Sequence, residues 1–184
     1  MSDLETRLRQ VEDRLAIQDL VQLYGYVMDE RDLEGLPQLF TEDGELYSED
    51  GVFQAVGLQT ISDTYAGRYS ALGPTYHYAH GVIVRFDDND SDVAHGLVNG
   101  NAEVVRNGVT MVVALRYKDT YQRTDQGWRI KVRTMSYMYY MPVAEFDEGL
   151  QGEDRTRAYG DRRPADWPSV LHGGDLEWLR AHYR

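Results

Sequence analysis

The sequence predicts an α+β fold in which helices come first and a curved antiparallel sheet follows. Two observations carry this prediction. From Leu4 to about Asp29, apolar residues recur every three to five positions, which is the spacing of an amphipathic helix. After Pro74 the pattern becomes extended and stays so for over sixty residues. Helices followed by strands are typical of a domain whose helices cover one face of a sheet.

The first helix is predicted to carry one apolar stripe, with charged residues, Asp13 among them, on the other side of its first half. Its later turns are rich in apolar and aromatic residues, so we expect them in the core. Its first turns are more polar, and we expect them to project toward another subunit. The stripe consists of residues 4, 8, 11, 15, 20, 23 and 27.

Three shorter elements are predicted between the first helix and Pro74. They are a second helix over 32–40, a strand pair over 45–48 and 52–56, and a third helix over 58–72. Pro37 interrupts the second helix, and the turn 41–44 follows it. Gly73 and Pro74 end the third helix.

Four long strands then follow, separated by short turns rich in Asp, Asn and Gly. Asn107-Gly108, between two alternating runs, is a strong signal for a hairpin. Four such strands form an antiparallel meander, which must curl if one face is to be buried. The strands cover about 75–86, 93–106, 109–124 and 127–140.

We expect one domain over residues 1–144 and a C-terminal extension over residues 145–184. A chain of 184 residues suits a single core. In the extension the periodicity is lost and Gly, Asp and Arg become frequent, until a short helix is predicted over 176–183. Trp167 and Trp178 would pack this extension on the body or on a neighbouring chain.

The charge balance excludes several classes of partner. The chain has 19 Lys and Arg against 31 Asp and Glu, a net charge of −12. Such a charge repels nucleic acid and anionic membrane surfaces. The chain has no cysteine, its start lacks the pattern of a secretion signal, and no apolar run approaches the length of a membrane span. We expect a soluble cytoplasmic protein without nucleic-acid or membrane partners.

Tyrosine is unusually frequent, with 14 Tyr against 4 Phe and 3 Trp. A tyrosine buries a ring and presents a hydroxyl, which suits a pocket for a partly polar organic ligand or an oligomer interface. Most of these residues are expected to pack in the sheet, but Tyr24 and Tyr26 are stronger ligand candidates. The ranges 111–117 and 137–141 would make the outer face of the sheet apolar, so we expect a homo-oligomer.

Asp29, His77 and His80 are the strongest candidates for chemistry. A carboxylate beside an imidazole fixes the tautomer of the ring and stabilises the imidazolium that forms when the ring accepts a proton. Strand alternation places His80 on the apolar face of its strand and His77 on the opposite face. His77 therefore needs an irregularity near Gly81 to reach a cavity, or it is only a strand residue bonded to backbone.

No metal and no cofactor are expected. His77, His80 and His95 could be assembled with carboxylates, but no helix carries paired histidines at the spacing of metal ligands. The sequence also lacks a Gly-rich phosphate loop and a nucleophile elbow, which disfavours nucleotide binding and serine hydrolysis.

Four motifs give the chain a resemblance to a known family. They are 15–20 leading to Tyr24 and Asp29, 39–44, His77 to Gly81, and 121–130. On these motifs, residues 4 to 141 resemble the SnoaL-like branch of the nuclear transport factor two-like superfamily. The resemblance implies a cone-shaped α+β barrel, in which a strongly curved antiparallel sheet and the N-terminal helices enclose an apolar cavity.

Within that superfamily the chain is most similar to the group of hexachlorocyclohexane dehydrochlorinase, bile-acid 7α-dehydratase and scytalone dehydratase. The resemblance implies a cofactor-independent lyase, dimeric or trimeric, that acts on a small hydrophobic cyclic substrate. Asp29 would orient His77, which removes the proton. Tyr24 would act on the leaving group, and Arg133 matches a cavity arginine. The predicted pocket residues are Tyr26, His80, Tyr47 and Tyr137.

Two alternatives stay open at this point. The same base would serve an isomerase or polyketide cyclase, and an empty cone would serve a binding or assembly module without catalysis. Tyr24 and Asp29 lie about 140° apart on an ideal helix, so the helix must loosen, as Gly25 would allow, before both face one cavity. Arg133 shares its strand parity with polar residues, so it is either a solvated or interface residue or a cavity residue that stabilises an anion.

Overall fold

The computed structural model describes residues 3–183, apart from the side chain of His172, and confirms the α+β fold. Met1, Ser2 and Arg184, which the predicted ranges include, lie outside the described residues. The helices of the body are α1 (Asp3–Asp29), α2 (Leu36–Leu39, after a 3-10 turn over Leu33–Gly35) and α3 (Leu58–Tyr69). The strands are β1 (Phe40–Ser48), β2 (Gln54–Val56), β3 (Leu72–Phe86), β4 (Val93–Arg106), β5 (Val109–Thr124) and β6 (Gly127–Pro142).

The six strands form one sheet in the order β2, β1, β6, β5, β4, β3. The four long strands pair in the predicted antiparallel meander. The prediction of a wholly antiparallel sheet is wrong in one place, because β1 runs parallel to β6. Strands β2 and β3 remain at the edges, so the sheet is open. A parallel neighbour needs a long crossover, here the whole chain between β1 and β6, which no local pattern reveals.

The later turns of α1 lie in the core, as predicted, except that Leu23 of the predicted stripe is 41% exposed. The first half of the predicted stripe does not, since its four apolar side chains are between 53% and 71% exposed. At 3.6 residues per turn these four point roughly opposite to the buried face of the later turns, so one continuous stripe is wrong. The exposed side chains are Leu4, Leu8, Val11 and Leu15. The buried apolar ones are Ile17, Leu20, Val21, Tyr24, Val27 and Met28.

Asp13 fastens the middle of α1 to the sheet. Predicted on the solvated side of the helix, Asp13 is buried. Its carboxylate accepts hydrogen bonds from the guanidinium of Arg123 and, at 3.1 Å, from the indole nitrogen of Trp128. Burial raises the pKa of Asp13, but these two partners have the larger combined effect and hold the pKa below its ordinary value. Helix α1 is thereby held across β5 and β6.

Two element boundaries differ from the prediction. Strand β1 begins at Phe40, so the predicted turn 41–44 lies within that strand, as an irregularity in its pairing with β6. Helix α3 ends at Tyr69, and Gly73 and Pro74 belong to β3. Pro74 has no N–H to donate, but β3 is an edge strand with one neighbour, where a proline is tolerated.

Bulges in the long strands change the face to which side chains point. Among them, the pairing of β3 with β4 skips His80, and the pairing of β6 with β5 skips Lys131 and Met138. The alternation reverses at a skip, so that odd-numbered residues before it and even-numbered residues after it point to the same face of the sheet, or the converse. Gly81 follows the first skip with a φ of 143°, which glycine adopts without steric cost.

The chain after Pro142 folds back over the outer face of the sheet. The guanidinium carbon of Arg116 lies 3.8 Å from the ring centre of Trp167 and 6.0 Å from the ring centre of Trp178. Both predicted tryptophans therefore pack on the body. The short helices of this part are α4 (Phe146–Gly149) and α5 (Glu177–Arg180).

The outer face of the sheet is less apolar than predicted. Most large side chains of 111–117 and 137–141 point into the core, because strand alternation, shifted in β6 by a skip at Met138, sends them inward. These residues are Met111, Val113, Leu115, Tyr117, Tyr137 and Tyr140. They are therefore not available to an oligomer interface. None of the described helices is long and apolar enough to cross a lipid bilayer.

Candidate active site

Asp29 and His77 meet where α1 ends against β3. The Nδ1 atom of His77 lies 2.6 Å from Oδ1 of Asp29. The backbone N–H of His77 donates to Oδ2 of the same carboxylate at 2.8 Å, and the hydroxyl of Thr75 donates to Oδ1 at 2.7 Å. Three hydrogen bonds from one strand thus fix the position of the carboxylate and the orientation of the imidazole.

The surroundings of Asp29 favour its ionised form. Burial raises the pKa of this carboxyl, but the bonds with His77 and Thr75 together have the larger effect and hold the pKa below its ordinary value. An ionised carboxylate only accepts, so Nδ1 of His77 carries the shared proton, and in the neutral ring Nε2 is then the acceptor. The side chains of His77 and Asp29 are 23% and 14% exposed. A ligand can therefore reach the imidazole, while bulk water has limited access.

The bulge in β3 is what turns His77 inward. The predicted irregularity near Gly81 is confirmed, because the register shifts between Ala79 and Gly81. His80, the skipped residue, is exposed, and its Nε2 lies 2.7 Å from Oδ1 of Asn101. His80 is thus bonded to an amide, whereas His77 has a carboxylate that can stabilise an imidazolium.

Helix α1 stays regular through Asp29, so the predicted loosening at Gly25 is wrong. Gly25 instead lies directly against His77, and a Cβ added to it would be 3.5 Å from the Cβ of His77. Tyr24, Asp29 and His77 nevertheless line one cavity, although Tyr24 and Asp29 leave the helix in different directions.

Tyr24 is buried, and its hydroxyl lies 2.8 Å from the hydroxyl of Tyr65 on α3. Burial and the neighbouring Tyr24 raise the pKa of Tyr65 well above its ordinary value, so Tyr65 stays protonated. One hydroxyl hydrogen is used between the two tyrosines. The other is available for a ligand.

Two cavities meet at His77. An inner cavity of about 70 Å³ lies between α1, α3 and the concave face of the sheet. An outer cavity of about 220 Å³ lies between α1 and β3. Tyr24, His77, Leu115 and Tyr117 line both. A small organic molecule at this junction would contact the imidazole and the Tyr24 ring together.

Arg133 points inward, because the skip at Lys131 reverses the alternation of β6. It is completely buried and forms a two-pronged pair with Asp119, at 2.9 and 2.6 Å. Its guanidinium carbon lies 4.1 Å from the ring centre of Tyr24 and 4.0 Å from that of Tyr117. Arg133 is not among the residues that line the two cavities. The structure therefore places it behind Tyr24, where it supports the ring without meeting a ligand.

The four predicted pocket residues separate in the structure. Tyr137 lines the inner cavity, and Tyr26 and His80 line the outer one. Tyr26 is 70% exposed, which places it at the mouth. Tyr47 lines neither of these two cavities, because its strand position faces away from the core and its hydroxyl donates to Glu45 at 2.6 Å. The prediction of Tyr47 as a pocket residue is wrong for this reason.

Arg68 on α3 is the cavity residue that the sequence analysis missed. It lines the inner cavity together with Tyr137 and Tyr140. Its guanidinium carbon lies 5.1 Å from the centre of the Phe53 ring. Arg68 follows Tyr65 by three residues, so the two side chains share one face of the helix. This signal becomes informative only when Tyr65 is known to be buried.

The histidines considered for a metal site do not come together. His95 lies 3.5 Å from Asp87, away from the dyad, and His80 contacts Asn101. Among the described residues, which exclude the side chain of His172, His, Asp and Glu form no group of three or more that could hold a metal ion.

Comparisons with solved structures agree with this architecture. LinA is 23% identical, with 75% of this chain and 94% of that chain covered and a TM-score of 0.68. A putative aromatic ring hydroxylase from Novosphingobium aromaticivorans is 27% identical, with 73% and 96% covered and a TM-score of 0.66. A putative scytalone dehydratase from the same organism is 22% identical, with 76% and 91% covered and a TM-score of 0.64. These similarities establish a shared fold.

The comparison with curated proteins gave no match. A family model described as the SnoaL-like domain matches residues 9–134, which is more than half of the chain. The matched range contains Asp29, His77 and the bulges at His80 and Lys131. On this match, supported by the nuclear transport factor two-like architecture of its structural neighbours, the chain belongs to the SnoaL-like domain family.

Proposed function

We propose that this protein is a cofactor-independent lyase that eliminates water or a hydrogen halide from a small hydrophobic cyclic substrate. The observation that carries the proposal is the 2.6 Å contact between His77 and Asp29 at the junction of two cavities. Two structural neighbours lend support, since one is named hexachlorocyclohexane dehydrochlorinase and another putative scytalone dehydratase.

In this mechanism Nε2 of His77 takes a proton from a carbon next to the carbon that holds the leaving group. The electron pair of the broken C–H bond becomes the new C=C bond, and the leaving group departs with the electrons of its own bond. A hydroxyl leaves as water with a proton from Tyr24, and a halide leaves as the anion. Asp29 stabilises the imidazolium, and such assistance contributes roughly 10²–10⁴ in rate.

The proposal is tested with purified protein and a panel of cyclic alcohols and halides whose elimination creates a conjugated alkene. Ultraviolet absorbance follows the alkene, and mass spectrometry identifies a product lighter by water or a hydrogen halide. We expect His77→Ala to abolish turnover without changing the circular dichroism spectrum. His95→Ala, at a histidine away from the dyad and outside both cavities, is the matched control and is expected to keep most of the activity. Near-wild-type turnover by His77→Ala would disprove the proposed base.

An isomerase or polyketide cyclase is the second candidate. The pair of hydroxyls of Tyr24 and Tyr65 favours it, because a donor in the cavity can stabilise the oxygen of an enolate. Here the same base forms an enolate that is then protonated at another carbon or closes a ring. An isomerised product has the mass of its substrate, which separates this reaction from elimination. A binding module without catalysis would be favoured by an unpaired, solvated Asp29, whereas the Asp29 carboxylate takes part in three hydrogen bonds here.

We also propose a homo-oligomer, dimer or trimer, that uses the exposed stripe of α1. The four side chains of this stripe are spaced by four and three residues, as in a seam between two helices. The double variant Leu8→Glu with Val11→Glu is expected to lower the molar mass measured by light scattering, with the melting temperature of the body retained. A monomeric wild type, or a double variant of unchanged mass, would contradict this interface.

A further inference from the structure

We propose that Arg68 binds a carboxylate of the ligand, so that the substrate is a small organic acid. This inference rests on the function proposed above and names the class of substrate for the same cavity. The observation behind it is a cationic side chain in the inner cavity whose charge the protein does not balance.

The guanidinium of Arg68 has neutral neighbours. Among the described residues, no carboxylate oxygen lies within 4.0 Å of the Arg68 guanidinium nitrogens, the distance expected of an ion pair, and no Asp or Glu lines the inner cavity. The guanidinium lies beside the hydroxyl of Tyr137 and against the ring of Phe53. Such neighbours satisfy donors without compensating the charge, and a partly buried, uncompensated charge favours an anion of opposite sign.

The contrast with Arg133 makes this arrangement informative. Arg133 is also buried near Tyr24, but Asp119 balances it through two hydrogen bonds. The protein as a whole carries a net charge of −12, which repels anions from most of its surface. The unbalanced positive charge of Arg68 at one end of the inner cavity is therefore a local feature, and the packing of the fold does not require it.

The surroundings also keep Arg68 charged. Burial lowers the pKa of this guanidinium, but the hydroxyls of the nearby tyrosines raise it, and the net shift is upward. A second arginine, Arg106, lies beside the hydroxyl of Tyr140, and its buried Nε has no hydrogen-bond partner among the described residues. Arg106 does not line the cavity, so Arg68 is the cationic side chain that the cavity presents at the end formed by Tyr137 and Tyr140.

The sheet places this positive end away from the proposed base. His77, Ala102, Val113 and Tyr140 are successive partners across β3, β4, β5 and β6. Three strand spacings amount to about 14 Å along the sheet, and less across its concave face. A ligand whose carboxylate lies at Arg68 would direct its other end toward His77. The inner cavity of about 70 Å³ suits a planar carboxylate, which takes two parallel N–H bonds, better than a larger phosphate ester.

The test compares matched acids and amides in binding experiments. Wild-type protein, Arg68→Gln and Arg116→Gln are titrated with benzoate and cyclohexanecarboxylate, and with benzamide and cyclohexanecarboxamide, by ligand-detected NMR. We expect wild type to prefer the acids by roughly 10- to 100-fold, and Arg68→Gln to bind acids and amides alike. Arg116 is the matched control, because it is a partly buried arginine stacked on Trp167 and outside both cavities.

A second measurement does not depend on the fold of a variant. Benzoate is expected to shift the Arg68 Nε–H signal of ¹⁵N-labelled wild type, and benzamide is expected to leave it in place. Equal affinity of wild type for acids and amides, an acid preference retained by Arg68→Gln, or an unmoved Arg68 signal overturns the proposal. These experiments measure binding without turnover, so their failure is distinct from a failure of the Asp29 and His77 chemistry.

Discussion

Replacing Asp29 with asparagine is expected to stop catalysis through the tautomer of His77, with the fold retained. The backbone N–H of His77 must keep an acceptor, so the amide oxygen takes the place of Oδ2. The amide nitrogen, which only donates, then faces Nδ1 of His77 and the hydroxyl of Thr75. Nδ1 must accept, the ring proton moves to Nε2, and the atom proposed to receive the substrate proton is blocked.

The expected loss of rate is roughly 10²–10⁴, the usual contribution of a positioned base. The accompanying loss of stability is expected to leave the protein folded. Bonds to a charged acceptor become bonds to a neutral amide, which costs about 1–3 kcal/mol. Domains of this kind have about 5–15 kcal/mol of stability, so the variant remains folded. The rate and the stability therefore separate in this variant.

Three measurements check the prediction: steady-state rates, the ¹⁵N shifts of the His77 ring, and urea unfolding. The pKa of Asp29 lies below its ordinary value in the folded protein, so its contribution to stability is present above about pH 4 and is lost as the pH falls through the folded pKa. In Asp29→Asn the free energy of unfolding is expected to fall less steeply as the pH is lowered below about 4. Asp19→Asn, exposed on the same helix, is the control. A variant with the Nδ1–H tautomer and a near-wild-type rate would refute the reasoning.

Three further predictions follow from the surroundings of the site. Tyr24→Phe leaves the buried Tyr65 hydroxyl without its partner, so urea unfolding is expected to show a loss of stability of about 1–2 kcal/mol. The same variant is expected to release a hydroxyl leaving group more slowly. An unchanged rate would exclude Tyr24 from that step. Arg133→Met leaves Asp119 as an uncompensated buried charge and is expected to lower the free energy of unfolding by about 3–5 kcal/mol. Adding Asp119→Leu to the same chain should restore most of that stability. If the losses from the two substitutions simply added, the charge pair would be contradicted. Burial raises the pKa of Asp166 to about 6, so the folded protein holds this proton more tightly than the unfolded chain, and stability is expected to fall by on the order of 2 kcal/mol as the pH rises from about 4 to about 6. Asp166→Asn removes that fall, and an identical pH profile in the variant would show that another group causes it.

Local patterns were sufficient for much of the fold. The existence of α1 and of the four long strands, and the turn at Asn107-Gly108, follow from patterns among neighbouring residues, so the sequence predicts them and the structure confirms them. The bulge at His80 was also within reach, because the parity of His77 conflicted with an inward position and Gly81 offered a place for the irregularity.

The sequence by itself determined the helix and strand pattern and the candidates Asp29 and His77, since hydrophobic period and residue chemistry are encoded locally. Only the tertiary structure decided that β1 runs parallel to β6, that Arg133 is balanced by Asp119, and that Arg68 reaches the cavity. The physical reason is that strand pairing and charge compensation depend on which distant residues come within a few ångströms. Spacing along the chain carries no information about such contacts.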